Sequence, residues 1–404
     1  MAGPGAYSFG DEERKEVMDV LASGHLSRYG STDDDGYHMK VYKFEQEFAS
    51  YCGSKYAIAT SSGTSALLVS LLSLGIGDGD EVLVPGYTFV ASIGSIIYAR
   101  ATPVLVEIDE SLTMDPVDLE NKITARTKAI MAVHMLGNPC NMSEIMRIAK
   151  KHDLMVIEDG CQAAGAEYGG KKVGTFGKFG AFSLNRYKNM AAGDGGVIVT
   201  DDLELYQRAY ALHDQGHTPN RSGKDASGLL VGLNFKMNEL TGAVALAQTR
   251  KLDGMLTTLR QKKSALKQKV ATAKWFKFRT LNDEEGECGT LLSMIFESKK
   301  NADYVADKLG GRTLLHSGWH VYSNMPQIAE HRTPSEGWSE PARFANPGDL
   351  PRTEDILGRT VSLSVGVVDG GLGAGYGINI LSTDTEIEAV AEKFIDACKG
   401  IDQA

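Results

Sequence analysis

The chain has 404 residues, of which 52 are acidic and 42 are basic, so its formal net charge is −10 at pH 7. This length suggests roughly two to three domains, and the apolar content of 42% is typical of a globular protein. The acidic balance argues against a nucleic-acid partner. No apolar run approaches the ~20 residues that cross a bilayer, so we expect no membrane association.

The cysteines and the first residues bear on the compartment. The five cysteines are scattered and never form a CxxC pair, which favours a reducing cytoplasm and argues against structural zinc. The first residues carry neither a basic segment nor an apolar core, so no secretion signal is predicted. We therefore expect a cytoplasmic protein.

The hydrophobic pattern predicts two amphipathic helices, at 11–21 and 41–51, followed by alternating strands and helices. The predicted strands are 55–60, 81–84, 103–108, 127–133, 154–157, 177–182 and 197–200, and the helices between them include 65–74, 88–98 and 142–151. Short strands separated by helices are typical of a largely parallel sheet covered on both faces. Because ligands bind at the carboxyl ends of such strands, we expect the functional residues there.

Small polar residues follow the first predicted strand. Ser62, Gly63 and Thr64 stand between that strand and a helix, where free backbone N–H groups and hydroxyls form an anion site. The alternative is that they cap the helix with no ligand present. Phe89 and His134 follow other strands, so the same edge of the sheet would carry them as well.

Asp159 closes the apolar run 154–157, with Glu158 beside it. A carboxylate at the mouth of a buried sheet pairs with a pyridinium nitrogen and keeps it protonated. A helix N-cap is the alternative for an aspartate in this position. Gln162 lies about one helical turn further on, within reach of the phenolic oxygen of such a ring.

Lys188 lies in a polar loop after the strand 177–182, with Gly193, Gly195 and Gly196 close behind it. Glycines allow the backbone to approach a planar ligand closely. A desolvated lysine has a lowered pKa and becomes a nucleophile for carbonyls. We interpret Lys188 as the Schiff-base lysine of a pyridoxal-phosphate enzyme, with a surface lysine in a hairpin turn as the alternative. Ser183 precedes it and offers a hydroxyl to the phosphate.

The second half of the chain gives a weaker pattern. It predicts one or two long helices over 240–271, a strand at 291–296 and a closing helix at 383–398. We place a large domain at 1–249 and a smaller C-terminal domain at 250–404. The glycine-rich segment 366–377 does not match a dinucleotide fingerprint, and we expect a mobile loop near the substrate entrance. His316 and His320 have no evident third partner, so we expect no metal site.

Several of these blocks occur together in one known order. They are the segments 62–67, 85–92, 133–139, 157–162, 182–189, 193–196 and 232–239. On them the chain resembles the DegT/StrS family of pyridoxal-phosphate-dependent sugar aminotransferases, over roughly residues 10–265 and more weakly beyond. Several ordered blocks are far more specific than a lone motif. The resemblance implies an α/β fold of fold-type I, with a mostly parallel seven-stranded sheet between helices and a smaller α+β C-terminal domain.

The resemblance also implies roles for the residues around the cofactor ring. Lys188 would bind pyridoxal 5'-phosphate as a Schiff base, and Asp159 would pair with its pyridine nitrogen. Gln162 would contact the ring hydroxyl, and Phe89 would stack on the ring face. The pyridoxamine 5'-phosphate form would be the intermediate of the reaction.

The remaining roles concern the phosphate, the partner subunit and the substrate. The phosphate would be held by Ser62, Gly63, Thr64 and Ser183. Asn234 resembles an asparagine that reaches the phosphate of a neighbouring subunit, which implies a homodimer with shared active sites. Arg186 and His320 are candidate substrate residues, although a solvent-facing arginine is the alternative for the former.

Some positions bear on the substrate because they depart from the family pattern or resemble one branch of the family. Residues 214–217 read Asp-Gln-Gly-His where many members read Asn-His-Gly, and Lys236 stands where arginine is common. Residues 316–322 and 359–363 resemble the branch that aminates the terminal carbon of an eight-carbon acidic sugar, 8-amino-3,8-dideoxy-octulosonate. This likeness indicates the size and the charge of the substrate only.

The predicted function is ping-pong transfer of an amino group from an amino acid, expected to be glutamate, to a keto- or aldehydo-sugar or a cyclitol. Two alternatives remain open at this point. One is a sugar dehydratase that uses pyridoxamine phosphate, although relatives with that chemistry carry histidine at the position of Lys188. The other is a non-catalytic binding or regulatory protein that kept the fold.

Overall fold

The computed structural model describes residues 2–219, 230–372 and 374–403. Helices and strands alternate along the first half of the chain, as the sequence predicted. In chain order the elements are α1 (Pro4–Tyr7), α2 (Asp11–Ser23), α3 (Lys40–Cys52), β1 (Tyr56–Thr60), α4 (Gly63–Ser73), β2 (Glu81–Pro85), α5 (Val90–Tyr98), β3 (Thr102–Val106), α6 (Pro116–Asn121), β4 (Thr127–Val133), α7 (Met142–Lys151), β5 (Met155–Asp159), β6 (Glu167–Tyr168), β7 (Lys171–Lys172), β8 (Phe179–Ser183), β9 (Gly196–Thr200), α8 (Leu203–His213), α9 (Glu239–Val270), β10 (Phe276–Phe278), β11 (Leu291–Phe296), α10 (Lys299–Lys308), α11 (Pro326–Ala329), α12 (Pro351–Gly358), β12 (Thr360–Ser364) and α13 (Asp384–Lys399).

A seven-stranded sheet forms the centre of the molecule, in the order β1-β9-β8-β5-β4-β2-β3. Strand β9 runs antiparallel to β1 and β8, whereas the pairs from β8 to β3 are parallel. Nearly every residue of these strands is buried, because helices cover both faces and the strands are therefore apolar throughout. The prediction of a mostly parallel seven-stranded sheet is confirmed.

The C-terminal part contains a second sheet of three antiparallel strands, in the order β10-β11-β12. Strand β11 matches the predicted strand at 291–296, but β10 and β12 were not predicted. Strand β10 has three residues, which is too short for a hydrophobic period to be recognised. The closing helix α13 packs on α9 and α10.

Helix α9 is a single helix of 32 residues that also packs against α2 and α3. It runs through the predicted boundary between residues 249 and 250 without interruption. The division into domains 1–249 and 250–404 therefore stays a prediction, with a continuous helix at the junction.

The described residues contain neither a membrane-spanning helix nor a metal-binding cluster. No helix among them has both the length and the apolar character that crossing a membrane requires. In the same ranges, no three His, Cys, Asp or Glu side chains are grouped so that they could hold a metal ion.

Candidate active site

A cavity of about 380 Å³ opens at the carboxyl ends of the parallel strands. The predicted residues that line it are Ser62, Gly63, Thr64, Phe89, Asp159, Gln162, Ser183, Lys188 and His320. The fold brings them together because β1, β2, β5 and β8 all end at this edge of the sheet. The C-terminal part of the chain supplies His320 and closes the other side.

Lys188 lies in the loop 184–195 that joins β8 to the antiparallel strand β9. Its backbone N–H donates to the Asn185 carbonyl at 2.9 Å. The side chain is half-buried, and its positive charge acts on the Cys161 thiol and on the His320 ring. Within the described residues, its ammonium group has neither a hydrogen-bond nor an ion-pair partner. The amine is therefore available to a ligand in the cavity.

Asp159 is buried at the end of β5, and both of its oxygens are already held by donors. Oδ2 accepts from the Ser92 hydroxyl at 2.7 Å, and Oδ1 accepts from the Cys161 N–H at 3.0 Å. The Ser92 hydroxyl lies in turn 2.7 Å from the Thr88 hydroxyl. A carboxylate has about four lone-pair sites, so this one can accept a further donor from the cavity. No helix begins at Asp159, which removes the capping alternative.

Glu158 and His134 lie away from the cavity and serve the core. The Glu158 carboxylate accepts three backbone N–H groups from the turn 174–177 and lies 3.1 Å from Nε2 of His134. The Cys140 N–H donates to Nδ1 of His134 at 3.0 Å, which assigns the imidazole proton to Nε2. The expectation that His134 lies at the site is wrong, because alternate residues of a strand point to opposite faces of the sheet.

The predicted anion cradle lies where β1 leads into the first turn of α4. Oγ of Ser62 accepts from the Ser65 N–H at 3.0 Å and caps α4. Two glycines allow the first turn of α4 to pack closely against β8 and β9. A Cβ atom on Gly63 would lie 2.7 Å from Cβ of Ser183, and one on Gly196 would lie 2.4 Å from the Ser62 carbonyl. Both positions therefore require glycine. The helix N-terminus and the Ser183 hydroxyl meet at one place, where a dianion is favoured.

An aromatic pair forms the opposite wall of the cavity. Phe89 is 40% exposed, so one face of its ring is open to a ligand, and its centroid lies 5.1 Å from that of His320. Nδ1 of His320 lies 3.2 Å from the Ser317 carbonyl. Burial, and next the charge of Lys188, lower the pKa of His320 to about 4. The imidazole is therefore neutral at pH 7.

Gln162 is held at the edge of the cavity by its amide oxygen, which accepts from the Leu136 N–H at 3.1 Å. This bond directs the two N–H donors of the amide elsewhere. Cys161 stands beside it, and burial raises the pKa of its thiol. The thiol stays protonated and is a poor nucleophile compared with an amine.

The structure also adds residues that the sequence did not indicate. Ser92 donates to Asp159 and lies beside the Thr88 hydroxyl, and their signal in the sequence was a pair of hydroxyl residues one helical turn apart around the start of α5. Val367, Asp369 and Leu372 of the glycine-rich segment line the cavity, which agrees with the expectation that this segment lies near the substrate entrance.

Two predicted residues do not line the cavity of this chain. Arg186 is exposed, and its backbone rather than its side chain makes the recorded contacts. Asn234 is exposed too, and its Oδ1 accepts from the Lys236 N–H at 3.3 Å. The roles suggested for these two residues stay predictions.

Comparison with known proteins places this site in context. The family described as "DegT/DnrJ/EryC1/StrS aminotransferase family" matches residues 8–367. The GDP-perosamine synthase of Caulobacter vibrioides is 43% identical over 260 residues, which are 64% of this chain and 67% of that protein. The L-glutamine:scyllo-inosose aminotransferase of Streptomyces griseus is 37% identical over 253 residues, 61% of this chain and 59% of that protein. The matched segments thus span about two thirds of these relatives or less.

Among solved structures, S. venezuelae DesV in complex with a ketimine intermediate superposes with a TM-score of 0.76 and is 28% identical. The match covers 96% of this chain and 95% of that chain. The structural likeness therefore extends over nearly the whole chain.

Proposed function

The chain belongs to the DegT/DnrJ/EryC1/StrS aminotransferase family, whose cofactor is pyridoxal phosphate, and on that basis we propose that it transfers an amino group from an amino acid to a carbonyl carbon of a sugar or cyclitol. The observation that carries the proposal is one cavity that holds an unpaired lysine amine, a buried carboxylate, an open aromatic face and a helix N-terminus lined with hydroxyls.

These groups fit the cofactor. We assign its phosphate to the cradle of Ser62, Gly63, Thr64 and Ser183, where backbone N–H groups and hydroxyls converge. Phe89 would cover one face of the ring, and the N–H donors of Gln162 would be available to its phenolic oxygen. When bound, pyridoxal phosphate supplies an electron-withdrawing ring that stabilises negative charge on the carbon next to the reacting nitrogen.

Asp159 holds a proton on the ring nitrogen. The Ser92 hydroxyl and the Cys161 N–H fix the orientation of its carboxylate. An ionised carboxylate next to a pyridine nitrogen favours the protonated ring. Asp159 therefore keeps the electron-withdrawing character that the reaction needs.

Lys188 would hold the cofactor aldehyde through its amine. Once the amino group of the donor has displaced it, the free Lys188 amine would move a proton at the substrate carbon as a general base and acid. The Cys161 thiol stays protonated, and the lowered pKa of His320, about 4, makes its ring a weaker base than an alkyl amine. We propose that the neutral His320 contacts the substrate from the side of the C-terminal part.

The acceptor class is supported by the relatives, which include a GDP-perosamine synthase and an L-glutamine:scyllo-inosose aminotransferase. We propose glutamate as the donor, and glutamine is the comparison donor in the test. Lys188 itself argues against the dehydratase alternative, because the resemblance places histidine at that position in the dehydratases.

We further propose a homodimer in a reducing compartment. Support for the dimer is the exposed position of Asn234 outside the cavity of its own chain. Support for the compartment is that all five cysteines are free. Mixing Lys188→Ala and Asn234→Ala subunits should restore part of the activity that each lacks, and no recovery after proven subunit exchange would refute the shared site.

The test of the function uses the purified holoenzyme. Adding glutamate or glutamine should convert the cofactor to its amine form, and a panel of keto-sugars, keto-cyclitols and aldehydes should return the aldehyde absorbance. Lys188→Ala should lower turnover by at least about 10²–10⁴-fold. Lys178→Ala, an exposed lysine at the start of β8, is the matched control. Substantial turnover in Lys188→Ala contradicts the assignment.

A further inference from the structure

Residues 2–7 pack against the loop 184–195, although the two segments lie far apart in the sequence. Residues 2–5 are buried. The Gly3 N–H donates to the Arg186 carbonyl at 3.0 Å, and the Gly5 N–H donates to the Lys188 carbonyl at 3.3 Å. One of these bonds therefore ends on the backbone of Lys188 itself.

The contact between the two segments is backbone against backbone. A Cβ atom on Gly3 would lie 2.3 Å from the Tyr187 carbonyl carbon, and one on Gly5 would lie 2.4 Å from the Ala191 nitrogen. Real Cβ contacts are not this short, so glycine is the residue that permits this approach at both positions.

Gln248 of α9 joins the two segments through a single buried side chain. Its Oε1 accepts from the Ala191 N–H at 3.2 Å, and its Nε2 donates to the Gly5 carbonyl at 3.1 Å. Nε2 also donates to Oε1 of Glu13 at 2.7 Å, and Glu13 in turn pairs with Lys251 at 2.5 Å. Every polar atom of the amide is thus satisfied, which fixes its orientation.

The same segment also reaches the other wall of the cavity. A Cβ atom on Gly366 would lie 2.9 Å from Cγ of Pro4, and Val367, the next residue, lines the cavity. Residues 2–7 therefore lie between the lysine loop and the C-terminal segment that closes the site.

The lysine loop has four internal backbone hydrogen bonds, donated by the N–H groups of Leu184, Arg186, Lys188 and Ala192. It ends in Gly193 and Gly195, both with positive φ. Glycines give a loop more conformational freedom than other residues. A second, rigid support is what holds a reactive side chain to its productive geometry.

We propose that residues 2–7, together with Gln248, form a positioning segment that fixes the loop carrying Lys188. Gln248 is a positioning residue, since it acts through the backbone of Ala191 and Gly5 and does not line the cavity. The proposal rests on the proposed function, because it assumes that Lys188 is the reacting amine.

The test compares Gln248→Leu and Gly5→Ala with two controls on α9. Gln268→Leu changes an exposed glutamine of the same helix, and Gly254→Ala adds a methyl group where nothing lies within 4 Å. For each variant the measurements are the rate at which the apoprotein captures added pyridoxal phosphate, kcat, the KM for the donor and the Tm.

We expect both test variants to capture the cofactor more slowly and to lose kcat by about tenfold or more, because small displacements of a reacting group are costly. The KM should stay within about threefold of wild type, because losing an interaction that forms only in the transition state lowers kcat and does not weaken binding of the donor. A merely structural role would lower the Tm and leave the capture rate and kcat of the folded fraction unchanged. That result, or equal losses in the controls, overturns the proposal. Should Gln248→Leu fail to fold, Gly5→Ala decides the question alone.

Lys188→Ala separates this proposal from the proposed function. If Lys188→Ala still turns over, the proposed function fails. If Lys188→Ala is inactive while folded Gly5→Ala and Gln248→Leu behave as wild type, only the positioning segment fails.

Discussion

Asp159 illustrates how much of a site depends on residues that do not touch the ligand. The sequence placed a carboxylate at the end of β5, and the structure adds the two donors that orient it. Its neighbour Glu158 has the same charge but points into the core, where backbone N–H groups hold it. The alternation of side chains along β5 therefore decides which of the two carboxylates faces the cavity.

Replacing this carboxylate tests its role. We expect Asp159→Asn to lower kcat by about 10²-fold or more, in the range found when a preorganised electrostatic partner is removed, while Lys188 still captures the cofactor. Turnover and the visible absorbance of the holoenzyme measure the two effects. Asp303→Asn, an exposed aspartate on α10, should behave as wild type. Full activity in Asp159→Asn is incompatible with the proposed pairing to the ring nitrogen.

At the scale of elements, the fold of the first half was largely predictable because its strands and helices are strongly patterned. Strand β4, helix α7 and strand β11 have the predicted bounds. Helix α4 begins two residues earlier than predicted, since Ser62 caps it and Gly63 is already helical. The strand β12 and the helices α8 and α10 were not predicted.

The contacts between elements were beyond the reach of the sequence. The glycines behind Lys188 were interpreted as space for a planar ligand. Gly195 does line the cavity, but Gly196 admits the backbone at Ser62. Likewise, no local pattern shows that residues 2–7 lie under the loop 184–195. Such contacts depend on which distant segments the sheet order brings together.

The junction of α4 with β8 gives a prediction for cofactor affinity. Gly63→Ala places a methyl group 2.7 Å from Cβ of Ser183 and 3.0 Å from Sγ of Cys161. Overpacking of this kind costs about 1–3 kcal/mol, so we expect the Kd for pyridoxal phosphate to rise by about tenfold. A fluorescence titration measures it. Gly94→Ala, where nothing lies within 4 Å, is the control, and an unchanged Kd in folded Gly63→Ala would refute the cradle.

At the scale of the whole molecule, a buried polar cluster links the segment after α2 to α3 and α8. Arg28 donates to both oxygens of Glu45 at 2.9 and 3.1 Å and lies 3.1 Å from Nε2 of His213. Nδ1 of His213 lies 2.6 Å from the Tyr210 carbonyl. Arginine only donates, so Nε2 accepts and the imidazole is neutral. Burial, and then the charge of Arg28, lower the pKa of His213 to about 3.

This depressed pKa predicts how stability depends on pH. An unfolded histidine titrates near pH 6.5, so below that pH the unfolded state binds a proton that the folded state excludes. The contribution of His213 to the free energy of unfolding is fully present above about pH 6.5 and is lost as the pH falls toward 3. We expect the free energy of unfolding to fall through this group by about 1.4 kcal/mol per pH unit in that window. Urea unfolding at several pH values measures it.

His213→Gln keeps an acceptor and removes the titration. Its free energy of unfolding should therefore depend less steeply on pH than that of the wild type between about pH 6 and pH 4. Parallel curves for the two proteins would show that His213 is not the group responsible.

The most direct test of the central assignment is the site of covalent attachment of the cofactor. The purified protein is saturated with pyridoxal phosphate, reduced with borohydride, digested and mapped by mass spectrometry, with Lys178→Ala and Lys188→Ala in parallel. We predict one phosphopyridoxyl adduct, on Lys188, in the wild type and in Lys178→Ala, and none in Lys188→Ala. An adduct on a different lysine, or no adduct at all in the saturated wild type, would contradict the account.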